Sequence, residues 1–297
     1  MTLFQEAFAI FLLFLVPGAA LWMPVTSLTL IACTWARLLS SWTPVIVYHA
    51  ALVLVWFIPG PYVPATLSSY GSYCLQRYFS FKAVWANQLD NKVQYVLAAA
   101  PHGAFPVGNI LSMLVAPSCC GFTFQALAAT AALRLPFYRQ LMRWIGAVDA
   151  DRATATALLA SGSSLGLNPG GIAEMFLFSK STNVRVLLKP RKGFIKLAIQ
   201  HGCTLVPGFA FGNDAALSVT SLPGCARISR FLRTSLVLIW GRWGLPIARR
   251  APIAACMAEP IPCRKIPNPS KEDVDAVHAE FCRGVQHVFD LHKAAYG

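Results

Sequence analysis

VLAAAPHGAFP, residues 96–106, is an apolar run that breaks at Pro101 and sets His102 against a glycine where a buried strand would end. The proline disfavours helix at Ala100, and Gly103 allows a sharp turn and close approach of a substrate, so His102 belongs on a turn beyond a strand. An open α/β sheet carries its chemistry at that place, outside the carboxyl ends of its strands. A histidine presented there is a base near neutral pH. The competing reading is a histidine that only caps a strand.

The rest of the chain supports an α/β domain. From Tyr70 onward, short apolar runs alternate with helix-like stretches. The expected strands are Tyr95–Ala99, Ser164–Leu167, Val184–Leu188, Leu205–Phe211, Leu236–Trp240 and Ile253–Ala258. One helix is expected over Lys192–Gln200, closed by Gly202. A last helix starts near Ser270, with Asp273 completing a capping box and Val274, Val277, Phe281, Val285, Val288 and Phe289 on one face.

Composition sets the N-terminal part aside. Of 297 residues, 56% are hydrophobic and mean hydropathy is +0.54, too apolar for an ordinary soluble enzyme. Residues 1–76 carry only two formal charges, Glu6 and Arg37. Two apolar segments, 7–36 and 44–58, flank a polar bend at Arg37, Ser40, Ser41 and Thr43. A bilayer takes roughly 20 apolar residues per crossing, so the expectation is a membrane-embedded helical hairpin over 1–69, kinked at Pro17 and Pro24 and with 44–58 either spanning or re-entrant. A cleaved signal peptide is the rival, but no Lys or Arg precedes Arg37. Residues 70–297 form the second unit.

Net charge is +13, and residues 180–297 hold 17 of the 25 basic residues against 7 acidic ones. The positive-inside tendency turns this part toward the cytosol. Zinc-finger spacing, RNA-binding signatures and a basic helix register are absent, so nucleic acid is not expected as a partner. Anionic lipid head groups or a phosphorylated cofactor fit a hydrophobic anchor better. The nine cysteines form no C-x-x-C pair and read as reduced thiols.

A second loop, Asn168-Pro169-Gly170-Gly171-Ile172-Ala173-Glu174, again follows an apolar run, and its bare backbone suits an oxyanion or phosphate. Glu174 is the lone carboxylate among Ile172, Met175, Phe176 and Leu177. Brought beside His102, it is expected to orient the imidazole; the alternative is a solvated surface Glu. Arg191-Lys192-Gly193-Phe194-Ile195-Lys196 then gathers cations at a helix start, a setting for an anionic group, against the alternative of a solvated cationic face. Gly162-Ser163-Ser164-Leu165-Gly166 matches a nucleophile elbow, with Asp214 and His278 downstream. Its surroundings are wrong, since a helix precedes Ser164 and a strand follows it.

Ala100-Pro101-His102-Gly103, Asn168-Pro169-Gly170-Gly171-x-x-Glu174 and Arg191-x-Gly193-Phe194-x-Lys196-x-Ala198-x-x-His201-Gly202, then Leu205-Val206-Pro207, together resemble the type 2 diacylglycerol acyltransferase family. Gly244-Leu245-Pro246, Arg250-Ala251-Pro252-Ile253, Glu259-Pro260-Ile261-Pro262 and Glu272-Asp273-Val274-Asp275 follow in the same order. The resemblance runs from about Tyr78 to Gly297 and implies a glycerolipid acyltransferase-like open sheet flanked by helices. It implies transfer of an acyl group from acyl-CoA to the free hydroxyl of diacylglycerol, at the endoplasmic reticulum membrane with the catalytic domain facing the cytosol. His102 would be the base and Glu174 its helper. Gly103 and the Asn168, Pro169, Gly170 and Gly171 backbone would supply donors, and Arg191, Lys192 and Lys196 would hold CoA phosphates. No metal or cofactor is implied. The partners are acyl-CoA, diacylglycerol and the bilayer, with room for a homo-oligomer.

Two departures stand out. Ala100 stands where family members often carry His, and plant-like ones Glu, before the proline, and the Glu that many members place between Gly212 and Asn213 is missing. The Asp that related glycerophosphate acyltransferases place five residues after the histidine is Val107 here. Rival functions are acyl transfer to monoacylglycerol or fatty alcohol, a membrane-bound serine hydrolase using Ser164, and a non-catalytic lipid-binding protein.

Overall fold

The computed structural model describes residues 1–15, 19–60, 62–63, 69–171, 173–174, 186–220 and 237–296. Its centre is an eight-stranded sheet. The strands are β1 (Lys82–Trp85), β2 (Tyr95–Ala100), β3 (Phe124–Ala128), β4 (Ala147–Asp149), β5 (Ser164–Leu167), β6 (Thr204–Phe211), β9 (Ala254–Met257) and β10 (Ile261–Pro262); β7 (Ser218–Thr220) and β8 (Leu238–Trp240) form a separate ribbon. The order is β1-β9-β6-β2-β5-β3-β4, with β10 beside β6. β6, β2, β5, β3 and β4 run parallel, while β9 and β10 are antiparallel to β6.

Each residue of β2 is buried, as a central parallel strand covered on both faces requires. Its side chains alternate between two layers. Val96 and Ala98 join Leu165, Leu205 and Phe209 under α7 (Arg152–Ala160), α8 (Gly193–His201) and α10 (Lys271–Tyr296). Tyr95, Leu97 and Ala99 pack with Met113 and Ala116 of α5 (Val107–Cys120) on the other face. In α10, Val274, Phe281, Val285 and Val288 bury the expected stripe; Phe281 is fully enclosed, and truncating such a ring to alanine costs about 3–5 kcal/mol. Ser270 and Asp273 cap this helix reciprocally, with Asp273 N donating to Ser270 Oγ at 3.0 Å and Ser270 N to Asp273 Oδ2 at 2.9 Å.

Most expected strands appear within a residue or two of their bounds. In the expected strand Val184–Leu188, residues 184 and 185 lie outside the described residues, and 186–188 form no strand. Leu236 also lies outside them, and Leu238–Trp240 joins the small ribbon.

The membrane-embedded hairpin is overturned. Among the described residues no helix is long and apolar enough to cross a membrane. The described helices of this part are α1 (Leu3–Leu15, 13 residues) and α2 (Ala19–Trp35, 17 residues) over the segment 7–36, and α3 (Thr43–Phe57, 15 residues) over 44–58. At 1.5 Å rise per residue, each falls short of a roughly 30 Å hydrocarbon layer.

α1 instead packs on the α/β body. Ala9 and Leu13 are buried with Cys74, Tyr78 and Phe79, the last two at or beside the end of α4 (Tyr70–Tyr78). Glu6 accepts a 2.7 Å hydrogen bond from Arg242, which holds its carboxyl below the ordinary carboxylate range. At the other side of the body, α6 (Tyr138–Trp144) caps the end of α3: Arg139 donates to the Trp56 carbonyl and Gln140 to that of Val55.

Candidate active site

Parallel alignment brings three chain turns to one edge of the sheet. β2 pairs with β5 through Ala98↔Leu167 and with β6 through Ala100↔Phe209, so the segments after Ala100, Leu167 and Phe211 leave side by side. Their first residues carry His102, the Asn168–Gly171 loop and Asn213.

His102 is partly exposed. Its Nδ1 lies 3.0 Å from the carbonyl oxygen of Gly103. A carbonyl only accepts, so a neutral ring carries its proton on Nδ1 and leaves the Nε2 lone pair free. Burial pushes the imidazole below its ordinary pKa of 6.5, against a smaller upward effect of the Gly103 carbonyl. Both features suit a base at neutral pH.

Glu174 is fully buried and reaches the His102 turn, but through the main chain. Its Oε2 accepts from His102 N and its Oε1 from Leu187 N, both at 2.8 Å. The expected carboxylate–imidazole contact is therefore replaced: the Gly103 carbonyl orients the ring, and Glu174 fixes the backbone that carries it. Burial raises the Glu174 pKa, opposed by those two N–H donors and by Arg191. Gly170 is dictated by the same carboxylate, because a Cβ there would lie 1.8 Å from Glu174 Cδ. Gly103, at φ +65, would place a Cβ 3.0 Å from that of Asn213.

Asn213, the first residue of the short helix α9 (Asn213–Ala216), is the residue that sequence reading missed. It is completely buried, donates from Nδ2 to the Pro101 carbonyl at 3.1 Å, and accepts at Oδ1 from Gly108 N at 2.8 Å. One amide thus spans the turn from the end of β2 to the first turn of α5. Its signal was its position after a strand and a glycine, in the Phe211-Gly212-Asn213-Asp214 segment.

The other expected residues divide. Pro169 and Gly170 are buried, and Asn168 keeps a buried Oδ1 with no hydrogen-bond partner among the described residues. Arg191 is exposed and reaches back to the Gly170 carbonyl at 3.4 Å, joining the cationic segment to the glycine loop. Lys192 is engaged elsewhere, in a 2.6 Å pair with Asp275 of α10, and Lys196 is exposed on α8. No cluster of His, Cys, Asp and Glu suited to a metal occurs among the described residues.

The serine elbow is not formed. Ser164 is buried at the start of β5, at the opposite end of the strand from the Asn168 loop, and its Oγ accepts from Tyr95 N at 3.0 Å. Asp214 is exposed, and His278 Nε2 contacts the Leu188 carbonyl at 3.1 Å.

A family model described as diacylglycerol acyltransferase matches residues 45–297. The chain belongs to the diacylglycerol acyltransferase family. Diacylglycerol O-acyltransferase 2-like protein 6 of Bos taurus is 29% identical over 248 residues, 75% of this chain and 73% of that protein. Acyl-CoA wax alcohol acyltransferase 2 of Homo sapiens is 30% identical over 242 residues, 74% of this chain and 72% of the relative. Diacylglycerol O-acyltransferase 2 of Mus musculus is 28% identical over 242 residues, 74% of this chain and 62% of the relative. Among solved structures, the 1-acyl-sn-glycerophosphate acyltransferase PlsC of Thermotoga maritima is similar at 13% identity and a TM-score of 0.46, over 94% of this chain and 99% of that one. The diacylglycerol acyltransferase-family chain is thus an acyltransferase of lipid synthesis, and its relatives' names span more than one acceptor.

Proposed function

We propose that the chain transfers an acyl group from acyl-CoA to the free hydroxyl of diacylglycerol, releasing triacylglycerol and CoA, with His102 as the base. The observation that carries this reading is the imidazole whose Nδ1 faces the Gly103 carbonyl, leaving Nε2 free on a turn held by Glu174 and Asn213. Nε2 takes the hydroxyl proton as the oxygen attacks the thioester carbonyl. Such general-base help is worth about 10²- to 10⁴-fold. The tetrahedral oxyanion is held by the N–H groups of Gly170 and Gly171, which have no hydrogen-bond partner among the described residues. Collapse breaks the carbon–sulfur bond, and the imidazolium returns its proton to the departing CoA thiolate. Acyl-CoA is a co-substrate, and the chemistry requires neither cofactor nor metal.

Arg191 and Lys196, beside the N-terminal end of α8, meet the CoA phosphates, and Lys192 joins them when released from Asp275. The acceptor dissolves in lipid. The reading therefore places the enzyme at the cytosolic face of the endoplasmic reticulum membrane, where the His102 turn meets a water-soluble donor and a lipid acceptor.

The test offers the detergent-solubilised full-length protein labelled acyl-CoA with diacylglycerol, monoacylglycerol and a long-chain alcohol in parallel. Triacylglycerol formation with stoichiometric CoA release is expected. Wax ester or diacylglycerol as the dominant product would reassign the acceptor, and CoA release unchanged in His102→Ala would remove the mechanism.

A further inference from the structure

The β7–β8 ribbon carries apolar side chains on both faces. Val219 and Ile239 pair across it and pack inward on the cluster that includes Ala9 and Leu13 of α1. Leu238 and Trp240, one step out of phase, point outward and are 56% and 42% exposed. A ribbon that meets only water alternates apolar with polar residues.

The turn that follows deepens the anomaly. Trp243 has φ +57, a left-handed conformation that costs a bulky L-residue free energy, yet its indole is 66% exposed and gains little burial in return. The surrounding backbone holds it there: Gly241 N donates to the Leu245 carbonyl and Arg242 N to that of Ile247, both at 2.7 Å. Arg242 lies 4.5 Å from the Trp243 ring centroid while its guanidinium is tied to Glu6. Arg249 stacks 4.9 Å from the Trp240 ring centroid and donates to Ser218 Oγ at 3.0 Å. Arg250 is half exposed, and Glu6, already paired with Arg242, is its only ion-pair partner among the described residues, at 4.0 Å.

A strained backbone that persists because its surroundings over-determine it points to a use for the side chain it displays. Clustered, not scattered, exposed apolar residues mark an interaction surface. Indole rings with arginines around them match the boundary between head groups and acyl chains, where the ring enters the apolar side and the cation stays with phosphate.

We propose that the β7–β8 ribbon and the turn over residues 241–247 form a preformed wedge that seats on an anionic bilayer surface. Trp243, Trp240, Leu238 and Leu245 enter the interface, and Arg249 and Arg250 meet lipid phosphates. This deepens the reading of the chain as an enzyme of the membrane face and assigns docking to a device distant in sequence from the apolar N-terminus.

The test uses full-length protein with phosphatidylcholine–phosphatidylserine vesicles whose acyl chains are brominated, reading quenching of tryptophan fluorescence. In Trp243→Gly, part of the quenchable signal is lost and vesicle partitioning falls several-fold, while the thermal midpoint holds or rises, because glycine accepts φ +57 without strain. Arg249→Gln weakens partitioning at low salt and on anionic vesicles only. Equal quenching in wild type and Trp243→Gly would overturn the wedge, as would wild-type protein that is not quenched at all. Loss of partitioning accompanied by a second copy cross-linked through this face would reassign the surface to self-association. Release of CoA, measured on the same samples, reports separately on acyl transfer, so quenching without CoA release would sink the catalytic reading and leave the wedge standing.

Discussion

The turn after β2 and the cationic start of α8 are joined through Gly170 and Glu174, yet they are built in opposite ways. The turn is fixed by buried hydrogen bonds: Glu174 on His102 N, and Asn213 on the Pro101 carbonyl and Gly108 N. Arg191 and Lys196 are exposed, and Lys192 is drawn into a half-exposed pair with Asp275. Chemistry needs a base held to within a fraction of an ångström, whereas a large, multiply charged head group is met by long side chains that adapt. The contrast separates positioning from attraction and ranks the consequences of disturbing each.

Removing the base has the largest effect. His102→Ala lowers kcat for CoA release by about 10²- to 10⁴-fold with the melting midpoint little changed. Its pH profile follows from the lowered pKa. Folding favours the neutral ring, so activity holds through neutrality and falls only as pH drops below 6.5 through the folded-state value. The stability contribution has the same sign: it is complete above 6.5 and is lost toward acid. An activity limb centred above 6.5 would contradict the burial that sets the shift.

Next comes the carboxylate beneath the turn. Glu174→Gln puts an NH2 where an acceptor is needed, leaving one buried N–H unpaired at a cost of about 1–3 kcal/mol. Gly170→Ala is worse, since its Cβ has no space without expelling the Glu174 side chain, and overpacking of this kind costs ~1–3 kcal/mol or more. Glu174 also opposes His102 in sign. Its pKa is raised, so its contribution is present below 4.5 and lost as pH rises through the folded-state value. The acid limb of stability should therefore steepen in Glu174→Gln, read by thermal melts across pH. Asn213→Ala removes its two hydrogen bonds and leaves only the Glu174 tie, and kcat falls more than KM changes, because the turn that carries His102 loosens while the cationic segment is untouched.

Much of this edge was legible in the chain. β2, β5 and β6 are apolar runs, and the residues that end or follow them (Pro101, Asn168-Pro169-Gly170, Gly212) announce turns by backbone chemistry that acts locally. Glu174 was legible as a carboxylate needing a partner because its neighbours are apolar. That the partners are peptide N–H groups was not, since every residue but proline carries one and nothing in the side-chain pattern singles out His102 N and Leu187 N. Asn213 was hidden for a related reason: both of its bonds go to main-chain atoms more than a hundred positions away. The N-terminal hairpin failed differently. Hydropathy measures transfer, and residues 7–36 are apolar enough, but the outcome depends on helix length and on what the helix meets. α1 meets Arg242, which is 236 residues distant from Glu6.

The smallest effect tests the other half of the contrast. Lys192 and Asp275 have side chains 40% exposed, so their pair is screened by water and its loss moves the melting midpoint little. If Lys192 serves the donor's phosphates, Asp275 competes for it. Asp275→Asn then lowers KM for acyl-CoA, Lys192→Ala raises it, and kcat stays within a factor of about two in both, as expected for uniform binding. The KM differences shrink as salt screens the charges. Were Asp275→Asn to raise KM, or to change kcat alone, the pair would be part of the scaffold that seats α8 against α10, and attraction of the donor would rest on Arg191 and Lys196.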